Sequence, residues 1–205
     1  MKEIKYFDTE QLKQFFMTLE LYREYGRLEE KKNTYRIAVR NEALFHVMYY
    51  CALRVSEVTR IKLTSYNPLT GTLYCERLKN GISNTIKLNG YTNKLLKKHL
   101  KINDPKTYLF ETKENRAIQR ASVDTAMKKY CKFTNLPTDL AHCHTLRHSR
   151  AIQLAESGCD LKELQYWLGH REISNTMIYF SFTYTQQMSL YKKINKNENK
   201  VYPQG

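Results

Sequence analysis

Acidic residues are in short supply in this sequence. Among its 205 residues, 20 Asp and Glu stand against 34 Lys and Arg, which leaves a formal charge of +14 at neutral pH. A basic excess of this size favours a polyanionic partner, most often nucleic acid. The alternative that charge alone leaves open is a basic surface with no such partner.

Paired cysteines and long apolar runs are also missing. The five cysteines form an odd set without a CxxC pair, which argues against a disulfide framework and predicts reduced thiols in a cytosolic protein. The most apolar run, Ala43–Leu53, contains His46 and is too short to span a bilayer, and Met1–Lys5 opens no apolar signal region. We therefore expect a cytoplasmic protein with no membrane role. The run His142-Cys143-His144 lacks a second Cys or His pair, so we expect no zinc site.

Helical periodicity dominates what the sequence does contain. Asp8 with Gln11 forms a predicted capping box at the start of the first helix. Gly26 and the charged stretch Arg27–Asn33 predict a loop after it. Further helices are predicted over residues 34–50, 91–101, 119–133, 144–157, 160–168 and 173–185, with Gly158 and Gly169 at helix ends.

One hairpin interrupts this helical pattern. Asn80-Gly81 is a strong turn signal between the predicted strands Thr72–Leu78 and Ser83–Leu88. We therefore expect a mainly α fold with a small antiparallel sheet over residues 1–185. The polar residues 186–205 are expected to be a flexible basic tail.

Two arginines lie in settings that suit phosphodiester chemistry. This chemistry needs a nucleophile, cations around the phosphorus and an acid for the leaving oxygen, and a guanidinium can hold two phosphate oxygens. Arg147 lies in the run HTLRH, where His144 is expected to share its helix face and His148 to point elsewhere. Arg54 has apolar neighbours and precedes Glu57 by three residues. A structural ion pair between Arg54 and Glu57 is therefore the alternative to a role at a phosphate.

Three further side chains could complete such a site. Lys79 falls at the predicted hairpin tip, where it could reach a bound strand or simply be solvated. Tyr179 lies nine residues after His170 on a late helix, where a tyrosine is commonly a core or surface residue. Because the pKa of a phenol is about 10, Tyr179 would need nearby cations, such as His170 and the arginines, to act as a nucleophile.

These residues together resemble the tyrosine recombinase (phage integrase) family. The run Leu53-Arg54-Val55-Ser56-Glu57 resembles the family's first arginine box, HTLRH matches its HxLRH box, and Leu168-Gly169-His170 with Tyr179 matches its LGH…Y box. The likeness extends from about residue 8 to residue 185. It is carried by six residues in order: Arg54, Lys79, His144, Arg147, His170 and Tyr179.

The resemblance implies the fold of that family's catalytic domain and a role for each residue. The arginines and the two histidines would bind the scissile phosphate of DNA, and Glu57 matches the acidic support position. Lys79 would protonate the departing 5′ oxygen, and Tyr179 would form a 3′-phosphotyrosine bond. Because that bond conserves the energy for religation, no ATP, catalytic metal or other cofactor would be needed.

Three departures from the family's pattern leave alternatives open. The hairpin reads RLKNG instead of the frequent Gly-Lys-Gly, so Arg77 and Lys87 compete with Lys79. Tyr184 is a minor rival to Tyr179 as the nucleophile. The chain also begins almost directly at the expected catalytic domain. It resembles in this the small recombinases that invert fimbrial promoter segments, and a fragment of a longer integrase would look the same.

The implied function is site-specific recombination of double-stranded DNA. Four protomers would assemble on two DNA sites, and residues 186–205, which hold Leu190, Tyr191 and Ile194, would dock on a neighbouring protomer. Two alternatives remain: a type IB topoisomerase that swivels and reseals one strand, and a DNA-binding protein that keeps the fold without cutting.

Overall fold

A mainly helical fold surrounds one small sheet, as predicted. The computed structural model describes residues 4–112, 114–180 and 191–192. Within them, no helix combines the length and the apolar character needed to cross a membrane. The helices are α1 (Thr9–Leu28), α2 (Lys32–Tyr50), α3 (Val55–Val58), α4 (Gly90–Asn103), α5 (Arg120–Phe133), α6 (Cys143–Glu156), α7 (Leu161–Leu168) and α8 (Ser174–Met177), and the strands are β1 (Tyr66–Asn67), β2 (Thr72–Cys75) and β3 (Asn84–Lys87).

Helices α1 and α2 pack side by side and carry much of the core. The predicted capping box is confirmed, since Asp8 Oδ1 accepts from the backbone N–H of Gln11 at 2.8 Å and the Gln11 side chain bonds back at 3.1 Å. The predicted loop at Gly26 is wrong, because α1 continues to Leu28. A Cβ at Gly26 would lie 2.8 Å from the backbone nitrogen of Tyr35, so this glycine lets the helices approach closely.

The sheet is antiparallel in the order β1-β2-β3. Its central pairing sets Leu73 opposite Ile86, and both side chains are buried. The strands are shorter than predicted, because the chain leaves the ladder after Cys75 and returns to it at Asn84. The predicted hairpin is confirmed.

Helices α6, α7 and α8 form the last described part of the chain. Gly158 and Gly169 adopt positive φ angles of 94° and 64° where α6 and α7 end, as predicted. The helix predicted over residues 173–185 is a single turn, α8, in the described part. Residues 181–185, with Tyr184, lie outside the described residues, and so does nearly all of the predicted tail, including Leu190 and Ile194.

Candidate active site

A buried carboxylate, Glu57, lies at the centre of the predicted site. Its side chain is fully buried on the four-residue helix α3, which begins directly after Arg54. The backbone N–H of Arg54 donates to Glu57 Oε2 at 2.9 Å, and Arg54 Nη1 donates to Oε1 at 2.7 Å. The ion pair considered as an alternative is therefore present, but it belongs to a larger cluster.

Two more guanidinium groups complete this arginine cluster, which comprises Arg54, Arg77 and Arg147 around Glu57. Nη1 of Arg77 lies 3.4 Å and Nη1 of Arg147 lies 3.8 Å from Glu57 Oε2. One negative charge thus faces three positive charges, which leaves two positive charges uncompensated. The side chains of Arg77 and Arg147 are sealed from solvent, whereas 20% of the Arg54 side chain is exposed. The cluster therefore lacks a counter-ion on the side of Arg54, which is its solvent-exposed side.

The cluster keeps Glu57 ionised. Burial alone would raise the pKa of this carboxyl group. The backbone N–H of Arg54 and the charges of Arg147 and Arg77 outweigh burial, so that the pKa of Glu57 lies below its ordinary value. A permanent carboxylate can hold the arginines in place without exchanging protons.

Arg147 is held by backbone carbonyl groups from two segments. On α6, its Nη1 donates to the carbonyl oxygen of Ala52, and its Nη2 donates to that of Leu168 at 3.0 Å. Burial and then the nearby charge of Arg54 lower the pKa of Arg147 to about 9. The guanidinium remains charged at neutral pH, in a fixed orientation.

His170 orients Arg147 through a defined tautomer. Its Nε2 lies 2.8 Å from Arg147 Nη2, which can only donate, so Nε2 accepts. The proton of the neutral ring is then on Nδ1, which lies 2.9 Å from the hydroxyl of the fully buried Thr176 on α8. Burial, and then Arg147, lower the pKa of His170 to about 4, so the ring is neutral at physiological pH.

Arg77, one of the competitors for the hairpin position, is a structural brace. Its side chain is fully buried, and its Nη2 donates to the carbonyl oxygens of Cys51 at 3.1 Å and Trp167 at 2.7 Å. Lys87, the other competitor, is exposed on β3 and bonds the carbonyl oxygen of Thr70. Neither lines the cleft at the open side of the arginine cluster.

That cleft has a volume of about 370 Å³, and Arg54, Lys79 and His170 lie in its wall. Lys79 is exposed at the hairpin tip, where it and Asn80 adopt left-handed φ angles of 56° and 59°. A positive φ at two consecutive non-glycine residues costs free energy, so the surrounding contacts must hold the tip in place. The structure thus puts Lys79 in the wall of the same cleft as Arg54.

Contacts of Gly169 help to hold the hairpin tip in place. Its carbonyl oxygen accepts from the backbone N–H of Ile82 at 3.0 Å, which ties the hairpin to the end of α7. A Cβ at Gly169 would lie 2.5 Å from Cγ of Arg77 and 2.7 Å from the carbonyl oxygen of Ile82. Glycine is therefore required in the LGH turn both by its φ angle and by the packing of Arg77.

The phenol of Tyr179 is buried near the charges of Arg147 and Arg54. Only 4% of Tyr179 is exposed, and it packs in a small apolar cluster with Ala52, Leu164 and Leu168. Its Oη lies 2.8 Å from Nδ1 of His148. Burial raises the pKa of Tyr179, and the charges of Arg147 and Arg54 oppose that rise without cancelling it.

The expectation that His148 points away from the site is wrong. Its ring centroid lies 6.2 Å from that of the exposed His144, because residues four apart on a helix share a face. That spacing within HTLRH was the signal that could have found His148. The brace formed by Arg77 and the support from Thr176 had no comparable sequence signal.

All the predicted site residues lie in one region. Arg54, Arg147 and His170 are linked to Glu57 directly or through one contact, and Lys79 lines the same cleft as Arg54 and His170. Tyr179 and His144 both neighbour His148, which follows Arg147 in the chain. Among the residues that the structure describes, no group of three His, Cys, Asp or Glu side chains is placed to hold a metal ion. The arrangement is suited to binding an anion next to a phenol.

The chain is similar to known proteins over most of its length. The profile of the phage integrase family matches residues 20–186, well over half of the chain. A tyrosine recombinase of Thermosipho africanus is 29% identical over 156 residues, covering 76% of this chain and 54% of the relative. Tyrosine recombinase XerD of Lacticaseibacillus casei is 31% identical over 164 residues, covering 77% of this chain and 55% of the relative. The chain spans about half the length of these relatives.

The fold is also that of solved recombinase structures. The XerH site-specific recombinase bound to its difH substrate in a pre-cleavage complex has a TM-score of 0.76 and 20% identity, with 93% of this chain and 55% of that chain covered. At this identity the likeness establishes the fold, and the predicted catalytic-domain architecture is confirmed.

Proposed function

Because the chain belongs to the phage integrase family, we propose that it is the catalytic part of a site-specific recombinase that cleaves and religates double-stranded DNA. The observation that carries this proposal is the arginine cluster, with two uncompensated positive charges open to a cleft at Arg54. A phosphodiester carries the negative charge that this cluster lacks. The phenol of Tyr179 and the ammonium of Lys79 supply the remaining chemical groups.

The proposed reaction assigns one role to each group. Arg54 and Arg147 hold the non-bridging oxygens of the scissile phosphate, and the developing negative charge strengthens both contacts in the transition state. His144, exposed beside them, adds a further donor. Tyr179 attacks phosphorus to form a 3′-phosphotyrosine, and Lys79 protonates the departing 5′ oxygen.

Two residues act by positioning others. Glu57 orients the arginines, and His170 holds Arg147 between two backbone carbonyl groups. The phosphotyrosine keeps the energy of the cleaved bond, so the proposed reaction consumes no added cofactor.

A nicked suicide duplex with a randomised core sequence tests this function. Loss of the short fragment beyond the nick traps the enzyme on DNA, so we expect a covalent adduct on a denaturing gel. The adduct should disappear in Tyr179→Phe and persist in Tyr74→Phe, a matched change at an exposed tyrosine on β2. Sequencing the trapped DNA end would identify the target site.

Other outcomes separate the alternatives. DNA binding without any adduct from the wild-type chain would favour a non-cutting DNA-binding protein. Relaxation of a supercoiled plasmid that lacks the trapped site would favour a type IB topoisomerase. An adduct that survives Tyr179→Phe and is lost in Tyr184→Phe would identify Tyr184 as the nucleophile.

We further propose a division of the chain into a catalytic domain, residues 1–185, and a tail, residues 186–205, that docks on a neighbouring protomer. The apolar side chains in this polar tail, Leu190, Tyr191 and Ile194, motivate the proposal. The assembly would hold four protomers on two duplex sites in the cytoplasm, where the DNA of a bacterial cell lies. A chain ending at residue 185 should bind one DNA site normally but fail to pair two sites in a sedimentation experiment; normal pairing would contradict the proposal.

A further inference from the structure

The attacking phenol has a proton to lose, and its surroundings make that loss difficult. Tyr179 is buried among apolar side chains, which raises its pKa, and the charges of Arg147 and Arg54 do not restore the ordinary value. A phenol in such a setting is almost entirely protonated at neutral pH. Attack on phosphorus therefore requires a group that takes this proton as the new bond forms.

One neighbouring side chain is placed to take it. Nδ1 of His148 lies 2.8 Å from Tyr179 Oη, which is the donor–acceptor distance needed for direct proton transfer. Burial, followed by His144, Arg147 and His142, lowers the pKa of His148 to about 4, so its ring is neutral near pH 7. When the neutral ring carries its proton on Nε2, the lone pair of Nδ1 faces the hydroxyl and can accept the phenol proton.

The other polar groups of the site cannot do this. Arg54 and Arg147 have no lone pair to offer. Both ring nitrogens of His170 are occupied, one by Arg147 and the other by Thr176. His144 is exposed and neighbours His148, with 6.2 Å between the ring centroids, whereas the ring that hydrogen-bonds to the phenol is that of His148.

We propose that His148 is the general base that takes the proton of Tyr179 during strand cleavage and returns it during religation. The inference rests on the function proposed above. In the forward step the Oη–H proton passes to His148 Nδ1, the Oη–P bond forms, the P–O5′ bond breaks, and the 5′ oxygen takes a proton from Lys79. In the reverse step the 5′ hydroxyl attacks, Lys79 recovers its proton, and the His148 imidazolium protonates the departing Tyr179 oxygen.

The position of His148 on the chain supports this role. It follows Arg147 directly on α6, so the same helical turn carries a phosphate-holding cation and the proposed base. Any shift of α6 would displace both groups together. Phosphate binding and proton removal would thus be coupled by the backbone.

The test measures the single-turnover rate of adduct formation on the suicide duplex for His148→Ala and His148→Gln. Loss of a general base typically lowers a rate by about 10²–10⁴-fold. We expect both variants to fall in this range, because glutamine can keep a hydrogen bond to the phenol but cannot accept its proton. His142→Gln, the same change at a half-buried histidine directly before α6, should retain the wild-type rate.

Two additional measurements distinguish a base from a positioning residue. Free imidazole should restore part of the rate of His148→Ala. A duplex with sulfur at the bridging 5′ position releases a thiolate that needs no proton, so it should rescue Lys79→Ala but neither His148 variant.

Three results would overturn the proposal. A wild-type rate in His148→Gln would mean that a hydrogen bond suffices. Rescue of His148→Ala by the sulfur duplex would place the defect at the leaving oxygen. If neither substitution had an effect while the wild-type chain formed a normal adduct, only the role of His148 as the base would be excluded. If the wild-type chain formed no adduct, the proposed recombinase function itself would be excluded.

Discussion

Two buried carboxylates of this protein, Glu42 and Glu57, have opposite surroundings. Glu42 on α2 receives both of its hydrogen bonds from one Nη1 of Arg23, at 2.5 and 2.6 Å. The same arginine also meets Glu20 and Glu24 at 3.0 Å each, so one cation stands among three carboxylates. Around Glu57 the numbers are reversed, with one carboxylate among three arginines.

The two clusters respond differently to burial. Burial raises the pKa of Glu42, and Arg23 counteracts this only in part, so the pKa lies above the ordinary value. The pKa of Glu57 lies below the ordinary value because the arginine cluster outweighs burial. The cluster around Glu42 joins α1 to α2, and its other two carboxylates, Glu20 and Glu24, are 52% and 33% exposed, so water compensates their charges. The arginine cluster keeps two uncompensated positive charges beside a cleft, and this difference is the reason for proposing a binding site at Glu57 and a structural ion pair at Glu42.

The largest effect should be on the rate of adduct formation, when Arg147 is removed from the arginine cluster. Removing one preorganised donor from a developing oxyanion typically costs about 10²–10³-fold in rate. We therefore expect Arg147→Gln to lower the single-turnover rate of adduct formation by at least this factor, because the carbonyl groups of Ala52 and Leu168 also lose their charged partner.

Arg23→Gln is the matched control in the cluster around Glu42. It should lower the midpoint of thermal unfolding but leave the rate per folded molecule unchanged. A rate loss in Arg23→Gln as large as that of Arg147→Gln would show that the two clusters do not differ as argued.

The second effect concerns stability. Glu57→Gln leaves three guanidinium groups without a counter-charge, and breaking a buried pair in this way costs about 3–5 kcal/mol. Because burial opposes the ionisation of Glu42, and Arg23 keeps Glu20 and Glu24 as partners, Glu42→Gln should lower the free energy of unfolding by less than Glu57→Gln does. Urea unfolding at neutral pH measures both values, and a larger loss in Glu42→Gln would contradict the comparison.

The same pair of variants should differ in the pH dependence of stability. The unfolded pKa of a glutamate is about 4.3. Because the folded pKa of Glu57 lies below this value, its contribution is present above about pH 4.3 and is lost as the pH falls through the folded pKa. Glu42 has a folded pKa above the unfolded value, so its contribution is present below about pH 4.3 and is lost as the pH rises through the folded pKa. Glu57→Gln should therefore flatten the acid limb of the stability curve, and Glu42→Gln should steepen it.

The smallest effect should appear in DNA affinity. If about six phosphates are neutralised, the affinity should fall by about 10³-fold between roughly 50 and 200 mM salt. Arg54→Gln should reduce the slope of log affinity against log salt by about 1, because one phosphate contact is lost. Arg27→Gln, at an exposed arginine of α1 paired with Glu24, should leave the slope unchanged. A salt-independent affinity would show that the excess positive charge does not bind DNA phosphates.

Several features could be predicted because their causes lie within a few residues. The box formed by Asp8 and Gln11 starts α1 through contacts three residues apart. Gly169 ends α7 because the helix needs a left-handed residue there. Gly26 is different, because the residue that it must make room for, Tyr35, belongs to another helix.

The amino-acid sequence by itself determined which residues are available for the chemistry, their order, and the helices and turn that present them. Only the tertiary structure decided that Arg77 is a brace, that Lys79 is the hairpin cation in the cleft, and that His148 meets the phenol of Tyr179. The bonds that decide this join residues far apart in the chain, such as Arg77 and Trp167, 90 positions apart. Such contacts depend on how α3, the hairpin, α6 and α7 pack together. A local pattern of residues carries no information about which distant segments meet.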